Sequence, residues 1–377
     1  MHVVHGQPGS SVKKIYEYRM TPRANALLTD AGELYFSYAR PADDALSSLS
    51  RQEGLLGIIT FQSGFFGEGD GAKPEGILQI PLSGRGDDRC EIWKTTQPVL
   101  AGTFGDITYR CSRDFLFGSI ALAVADLPAG NHGLIHLPLQ NAAELAYQQI
   151  FSLLDRHGYP GLLRIWNFVP DINGVSHGLE HYRQFNIGRQ DAFLAHSRLS
   201  SRQNIPAASA LGSVGGPLVV YFLAARRNLV AVENPRQISA YHYPQEYGPS
   251  SPTFSRAGWV DLGQQKILFI SGTASIIGHQ TRHEGDVAAQ TRESMANIAA
   301  VVAETNRVAA GPPYDLNDLS YKVYLRRFTD LPIIRAELDR LVTPKAPVFY
   351  LQADICRADL LVEIEATAGV LLHGGMA

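Results

Sequence analysis

The feature that most restricts what this 377-residue chain can become is a weak internal duplication. A long helix, a strand, a second helix and a closing strand occur twice in the same order. The first copy spans about residues 141–225. Apolar residues recur at helical spacing over 141–154, and His157-Gly158-Tyr159-Pro160 predicts the stop. A strand is expected over 162–169 and a second helix over about 189–196. A polar loop containing Pro206 then leads to a strand over 218–223. The second copy starts near Asp286, with a helix through 295–302, a strand over 319–328, a short helix over 331–341 and closing strands within 348–364. The Pro-, Tyr- and Ser-rich stretch 229–256 is expected to be the joint and an ordered active-site loop.

This mixture predicts an α+β fold with helices packed on one face of each sheet. Two domains follow, residues 1–228 with an N-terminal extension and residues 229–377 with the working cleft; residues 1–130 are functionally silent. Alternation places Val323 and Leu325 on one side of a strand, and Lys322, Tyr324 and Arg326 on the other. Near the end of the chain it divides Leu360, Val362 and Ile364 from Asp359, Leu361, Glu363 and Glu365. A sheet face so polar is either solvated or lines a cleft.

Composition narrows the class. An apolar content of 45% supports an ordinary core, and 33 Lys and Arg against 36 Asp and Glu give a net charge of -3. With no long charge run, a nucleic-acid or membrane partner is not expected, and a small-molecule or protein partner is. Cys90, Cys111 and Cys356 are too few and too scattered for a disulfide framework or a zinc cluster. The opening Met1 to Pro8 lacks a leader pattern, and no apolar run approaches a membrane span, so a cytoplasmic location is expected.

Three stretches carry a resemblance: Phe269-Ile270-Ser271-Gly272-Thr273-Ala274, Gln290-Thr291-Arg292-Glu293-Ser294 and Cys356-Arg357-Ala358-Asp359-Leu360-Leu361-Val362-Glu363. They resemble the RidA/YjgF fold, a trimer-forming α+β unit similar to trimeric chorismate mutase. Two tandem copies, together with Arg236-Gln237-Ile238-Ser239-Ala240-Tyr241-His242-Tyr243-Pro244 and the segment from Tyr247 to Arg256, resemble more particularly the chorismatases. The likeness covers about residues 140–366. It implies a cofactor-free enzyme that removes pyruvate from chorismate and leaves 3-hydroxybenzoate, with 4-hydroxybenzoate or a dihydroxycyclohexadiene acid as the other ring products to weigh. Either a monomer or a homotrimer is compatible with a tandem repeat.

Chorismate offers two carboxylates and an acid-labile enol ether, so its site needs two cationic clamps and one proton donor. By resemblance, Arg357 is the anion-binding arginine and Glu363 the acid that protonates the enolpyruvyl methylene. Burial would have to lift that carboxyl above its ordinary value of about 4.3, against the pull of Arg357. Arg236, Arg326 and Arg189 are candidates for the second clamp, with Tyr243 a hydrogen-bond donor beside Arg236; Glu365 is left structural. Cys356 matches members that form the aromatic product, acting through thiolate character or through shape. Ala274 stands near a position where those members tend to have glycine.

Rival patterns are weaker. Gly174-Val175-Ser176-His177-Gly178 fits a nucleophile elbow, but a hydrolase would need further parallel units. His279, His283 and Glu284 lack the zincin order and sit in a glycine-containing loop, and no facial metal triad supports the dioxygenase label often attached to such chains. Imine hydrolysis of the RidA type needs only one carboxylate clamp. A non-catalytic binding module is the third reading.

Overall fold

The computed structural model describes residues 32–40, 48–63, 76–82, 89–124, 137–199 and 205–372. The opening segment, Met1 to Pro8, lies outside them. Two sheets in this body repeat one another. The second sheet of the chain orders its strands Ala207–Ser213, Gly161–Pro170, Leu218–Ala225, Phe115–Leu122, Ile107–Cys111 and Leu100–Phe104, with the short Asp354–Ile355 added at its edge. The third orders Val348–Gln352, Ser320–Leu325, Val362–Ala368, Lys266–Ala274, Ala257–Asp261 and Val230–Val232. Position by position the two are the same, and the parallel pair is the first pair in each. The duplication is therefore longer than its helical pattern predicts, because each copy opens with a three-stranded meander, at 100–122 and 230–274. The fold is α+β, built on two tandem units of the same topology.

Helices α1 (Pro138–His157) and α2 (His181–Ala195) cover the outer face of the second sheet, and α3 (Val287–Val308) and α4 (Leu331–Leu338) cover that of the third. α1 ends where Gly158 takes φ 72°, and α3 begins where Asp286 accepts a hydrogen bond from the Ala289 amide at 2.9 Å. α2 starts well before the expected residue 189. Its interior Gly188 blurs the helical pattern, yet is needed there, since a Cβ would lie 2.0 Å from the Gln140 carbonyl of α1.

The first 130 residues supply a third wall. Leu34–Ala39, Leu55–Ser63, Ile77–Leu82 and Cys90–Thr95 form a sheet that the C-terminal Leu371–Leu372 extends in parallel beside Tyr35 and Phe36. Gln265 ties it to the third sheet, accepting from the Leu34 amide at 2.7 Å and donating to the Leu34 carbonyl at 3.0 Å. The helix-free faces of all three sheets meet in one aromatic core. Trp166 stacks on Tyr221 at 4.5 Å, Trp93 lies 6.3 Å from Phe269, and Phe61 lies 5.6 Å from Phe349. Burial of each such ring stabilises the fold by about 1.5–3 kcal/mol.

This corrects one expectation. The polar stripe Lys322, Glu365 and Tyr324 is neither solvated nor the wall of an open cleft; each is at most 5% exposed. Lys322 Nζ pairs with Glu91 of the first sheet and, at 3.0 Å, with Glu365; Arg164 of the second sheet reaches Glu365 at 2.7 Å. Pairing is what allows charges to persist in such a place.

Candidate active site

Where the second and third sheets face each other, the strand Val362–Ala368 presents Glu363 inward, level with Tyr324 on one neighbouring strand and Ala274 on the other. The Lys266–Ala274 strand changes register between Ile270 and Thr273, and the irregularity holds Ser271 and Gly272. The carboxyl of Glu363 occupies the space a side chain would take there: a Cβ on Gly272 would lie 1.9 Å from Oε1 and 3.1 Å from the Ser209 Cβ. Glycine in a strand often marks such a close approach.

Glu363 is 3% exposed, and burial first, then the neighbouring charge of Glu365, push its carboxyl up to about 8 against the pull of Arg164. The opposing arginine is thus Arg164 and not the expected Arg357. Glu365 behaves in the opposite way. Burial alone raises it, but Lys322 and Arg164, with hydrogen bonds from Ser209 and Trp166, hold it down at about 2. Two carboxyls two residues apart on one strand are therefore driven to opposite protonation states, the arrangement that separates an acid from a fixed charge.

Cys356 lies with its Sγ 4.0 Å from Glu363 Oε2. Burial and then Glu363 raise the thiol to about 12 against the pull of Arg357, which favours a neutral thiol facing the acid. Ala274, 5% exposed, packs in the same small cluster as Cys356, Ile276, Ile355 and Leu360. Tyr182 of α2 completes this wall: burial raises its phenol, followed by the influence of Cys356, with Arg189 opposing.

Arg357 stands at the more open end. Its Nη1 donates to the His279 carbonyl at 2.9 Å and to Thr281 Oγ1 at 3.3 Å, and its guanidinium lies 4.1 Å from the Tyr247 ring and 5.3 Å from that of Tyr243. Among the described residues it has no carboxylate within 4.0 Å. Both tyrosines come from the 229–256 segment.

Two of the expected second clamps have other partners in this structure. Arg326 has its donors committed, to Asp354 at 2.7 Å, Asn173 at 3.1 Å and the carbonyls of Leu360, Ile355 and Arg357 at 2.8–3.1 Å. It is a brace for the loop bearing Cys356 and Arg357. Arg236 is paired with Glu293 at 2.5 Å and Asn297 at 2.8 Å, on the α3 side. Tyr243 correspondingly sits beside Arg256, whose Nη2 donates to its hydroxyl at 2.8 Å, rather than beside Arg236. Arg189 is 1% exposed and holds Asn186 Oδ1 at 2.7 Å, while its Nε is buried without a partner.

The rival motifs do not gather elsewhere. Ser176 lies in a two-residue hairpin, Val175–Ser176 against Leu179–Glu180, and accepts or donates to His181 Nε2 at 3.0 Å; the mixed sheet behind it is not the parallel sheet a hydrolase requires. His279 faces Tyr247 at 3.1 Å while His283 faces Glu293 at 3.2 Å, and among the described residues no three potential ligands converge on a metal position. No described helix is long and apolar enough to cross a membrane. The residues that sequence reasoning missed are Gly272, Ser209, Arg164 and Tyr182. Only the glycine carried a signal, as a break in an otherwise β-forming run.

Comparison with known proteins bears on this arrangement. The family model described as chorismatase FkbO/Hyg5-like, N-terminal, matches residues 91–224. A 3-hydroxybenzoate synthase of Streptomyces hygroscopicus is 40% identical over 286 residues, 73% of this chain and 80% of that protein. A chorismatase of Streptomyces rapamycinicus is 37% identical over 341 residues, covering 87% of this chain and 96% of its own. A crystal structure of a chorismatase superposes with a TM-score of 0.75 at 32% identity, over 90% of this chain and 98% of that one.

Proposed function

The chain belongs to the chorismatase family, and from that premise we propose that it converts chorismate to pyruvate and 3-hydroxybenzoate, with Glu363 as the acid. The observation that carries the mechanism is the pair of carboxyls: Glu363 shifted up to about 8 beside Glu365 held down at about 2. A carboxyl protonated at neutral pH can give its proton to the terminal methylene carbon of the enolpyruvyl ether. The ether carbon becomes an oxocarbenium ion, and capture by an oxygen nucleophile followed by C–O cleavage releases pyruvate. Formation of a hydroxybenzoate consumes no net water, whereas a dihydroxy acid consumes one molecule.

Arg357 holds one substrate carboxylate and Arg189, the expected candidate left without a carboxylate partner among the described residues, holds the other. The protonated thiol of Cys356 and the methyl of Ala274 shape the space around the ring next to the acid, and thereby bias the product.

Incubating the metal-stripped protein with chorismate, assaying pyruvate and separating the ring product tests the reading. Pyruvate with 3-hydroxybenzoate is expected; absence of pyruvate defeats it. A second expectation concerns pH. Because the protonated form of Glu363 is the active one, and its value is raised, activity persists below about 8 and falls as pH rises through it. A flat profile of kcat/KM between pH 6 and 10 would remove Glu363 as the acid. Third, Arg357→Ala should raise KM about 10- to 100-fold with a smaller change in kcat, the loss of one charge-assisted contact; steady-state kinetics decides it.

A further inference from the structure

We propose that Glu365 is a positioning residue for the reaction, its fixed negative charge inside a balanced set of interior charges keeping Glu363 in the acid form. This rests on the reading above. Four charged residues join the three sheets: Glu91 from the first, Arg164 from the second, and Lys322 and Glu365 from the third, each at most 5% exposed. Two are negative and two positive, and they are in mutual contact. Lys322 bridges Glu91 and Glu365, and Arg164 holds Glu365 at 2.7 Å. Trp166 Nε1 and Ser209 Oγ complete the partners of Glu365, the former at 2.8 Å. Glu91 is likewise fixed by Trp93 Nε1 at 2.6 Å.

Glu363 is the fifth and odd member. It is as deeply buried as the others, but among the described residues it has no cation within 4.0 Å, and its nearest recorded polar partner is the Cys356 thiol. Ionising it would place an uncompensated charge in the interior, two residues along the same strand face from Glu365. The groups facing it are Glu365 on its own strand, Tyr324 and Ala274 level with it, Gly272 and Ser209 at its carboxyl, Cys356 from the loop, Tyr182 from α2 and Arg164 from the second sheet. Tyr324, Tyr182 and Cys356 are each raised by burial and stay neutral near pH 8. Burial raises the Glu363 carboxyl first, and among the charges that act on it the repulsion of Glu365 adds to burial while the attraction of Arg164 opposes it. Arg164 is already committed to Glu365 and Ser209, which leaves it the weaker influence. The raised carboxyl of Glu363 agrees with this ordering.

The test is Glu365→Gln in the full-length protein, read in two ways. The alkaline limb of kcat/KM for pyruvate release should move down by about one to two pH units, the size of one like charge at this separation. The carboxyl titration of Glu363, followed by 13C NMR and assigned by its loss in Glu363→Gln, should move equally without substrate. Since Glu365→Gln strands two cations, a paired variant, Lys322→Met with Glu365→Gln, removes one charge of each sign and should shift both readouts in the same direction. A rate lowered evenly at every pH, with limb and titration unmoved in a folded variant, would overturn the proposal and leave Glu365 structural. A wild-type protein that releases no pyruvate defeats the functional reading instead, and the NMR titration still decides the role of Glu365.

Discussion

Glu363→Gln is expected to lower kcat for pyruvate release by about 10²–10⁴-fold, the usual contribution of one positioned acid, with little change in KM. The amide has nearly the same shape as a protonated carboxyl, so the space beside Gly272 and Ser209 stays filled and the interior charges stay balanced. What disappears is the transferable proton. The glutamine N–H donates a hydrogen bond, but its acidity is far too low for transfer to carbon. Stability should change little or rise slightly, because no proton linkage remains at a site where ionisation is unfavourable. The expected sign follows from the raised value: above the unfolded value near 4.3 this carboxyl ionises more readily in the unfolded chain than in the folded one, which favours unfolding, and glutamine removes that bias. Single-turnover kinetics with thermal unfolding at pH 7 and pH 9 checks both halves. A Glu363→Gln protein that turns over chorismate at the wild-type rate would assign the proton to another group.

Gly272→Ala should reduce kcat by about 10²-fold or more while the protein still folds. The added Cβ would lie 1.9 Å from Glu363 Oε1, a distance no pair of such atoms sustains. The atom it meets is the end of a flexible side chain, so the strand can stay where it is and the carboxyl must turn away. Displacement of a reacting group by an ångström is enough to cost about 10²-fold in rate. Circular dichroism and Tm near the wild type, with pyruvate release largely lost, is the expected pair of results. Full activity would show that the carboxyl works from a different position.

Much of the fold was legible because the duplication repeats a helical pattern that single positions cannot hide. Helix α3 begins where Asp286 predicts, and the alternation of Val323 and Leu325 against Lys322 and Tyr324 matches the division between the helix-covered and inward faces. The meaning of the inward face was not legible. Lysine and glutamate on one strand face give no indication that Glu91 and Arg164, each more than 150 residues away from Glu365, will come to meet them. The same limit explains the arginines. Arg326 and Arg236 have the right residue type, but Asp354 and Glu293 already hold them, and only tertiary packing brings those partners in. The edge of the sheet of the first 130 residues escaped because residues from the other end of the chain complete it.

That last pairing has a consequence for how the enzyme is made. The strand bearing Glu363 runs on to Leu371–Leu372, which docks against the first strand of the body. Gly272, Ala274, Ser209, Tyr324 and Cys356 all precede the acid in the sequence, so during N-to-C synthesis the setting is translated before the group it holds. A nascent chain stalled between residues 357 and 362 carries Arg189, Arg357 and the wall residues but not the acid. The proton donor thus arrives with the closing strand, and chorismate is safe from every product of translation that ends before residue 363.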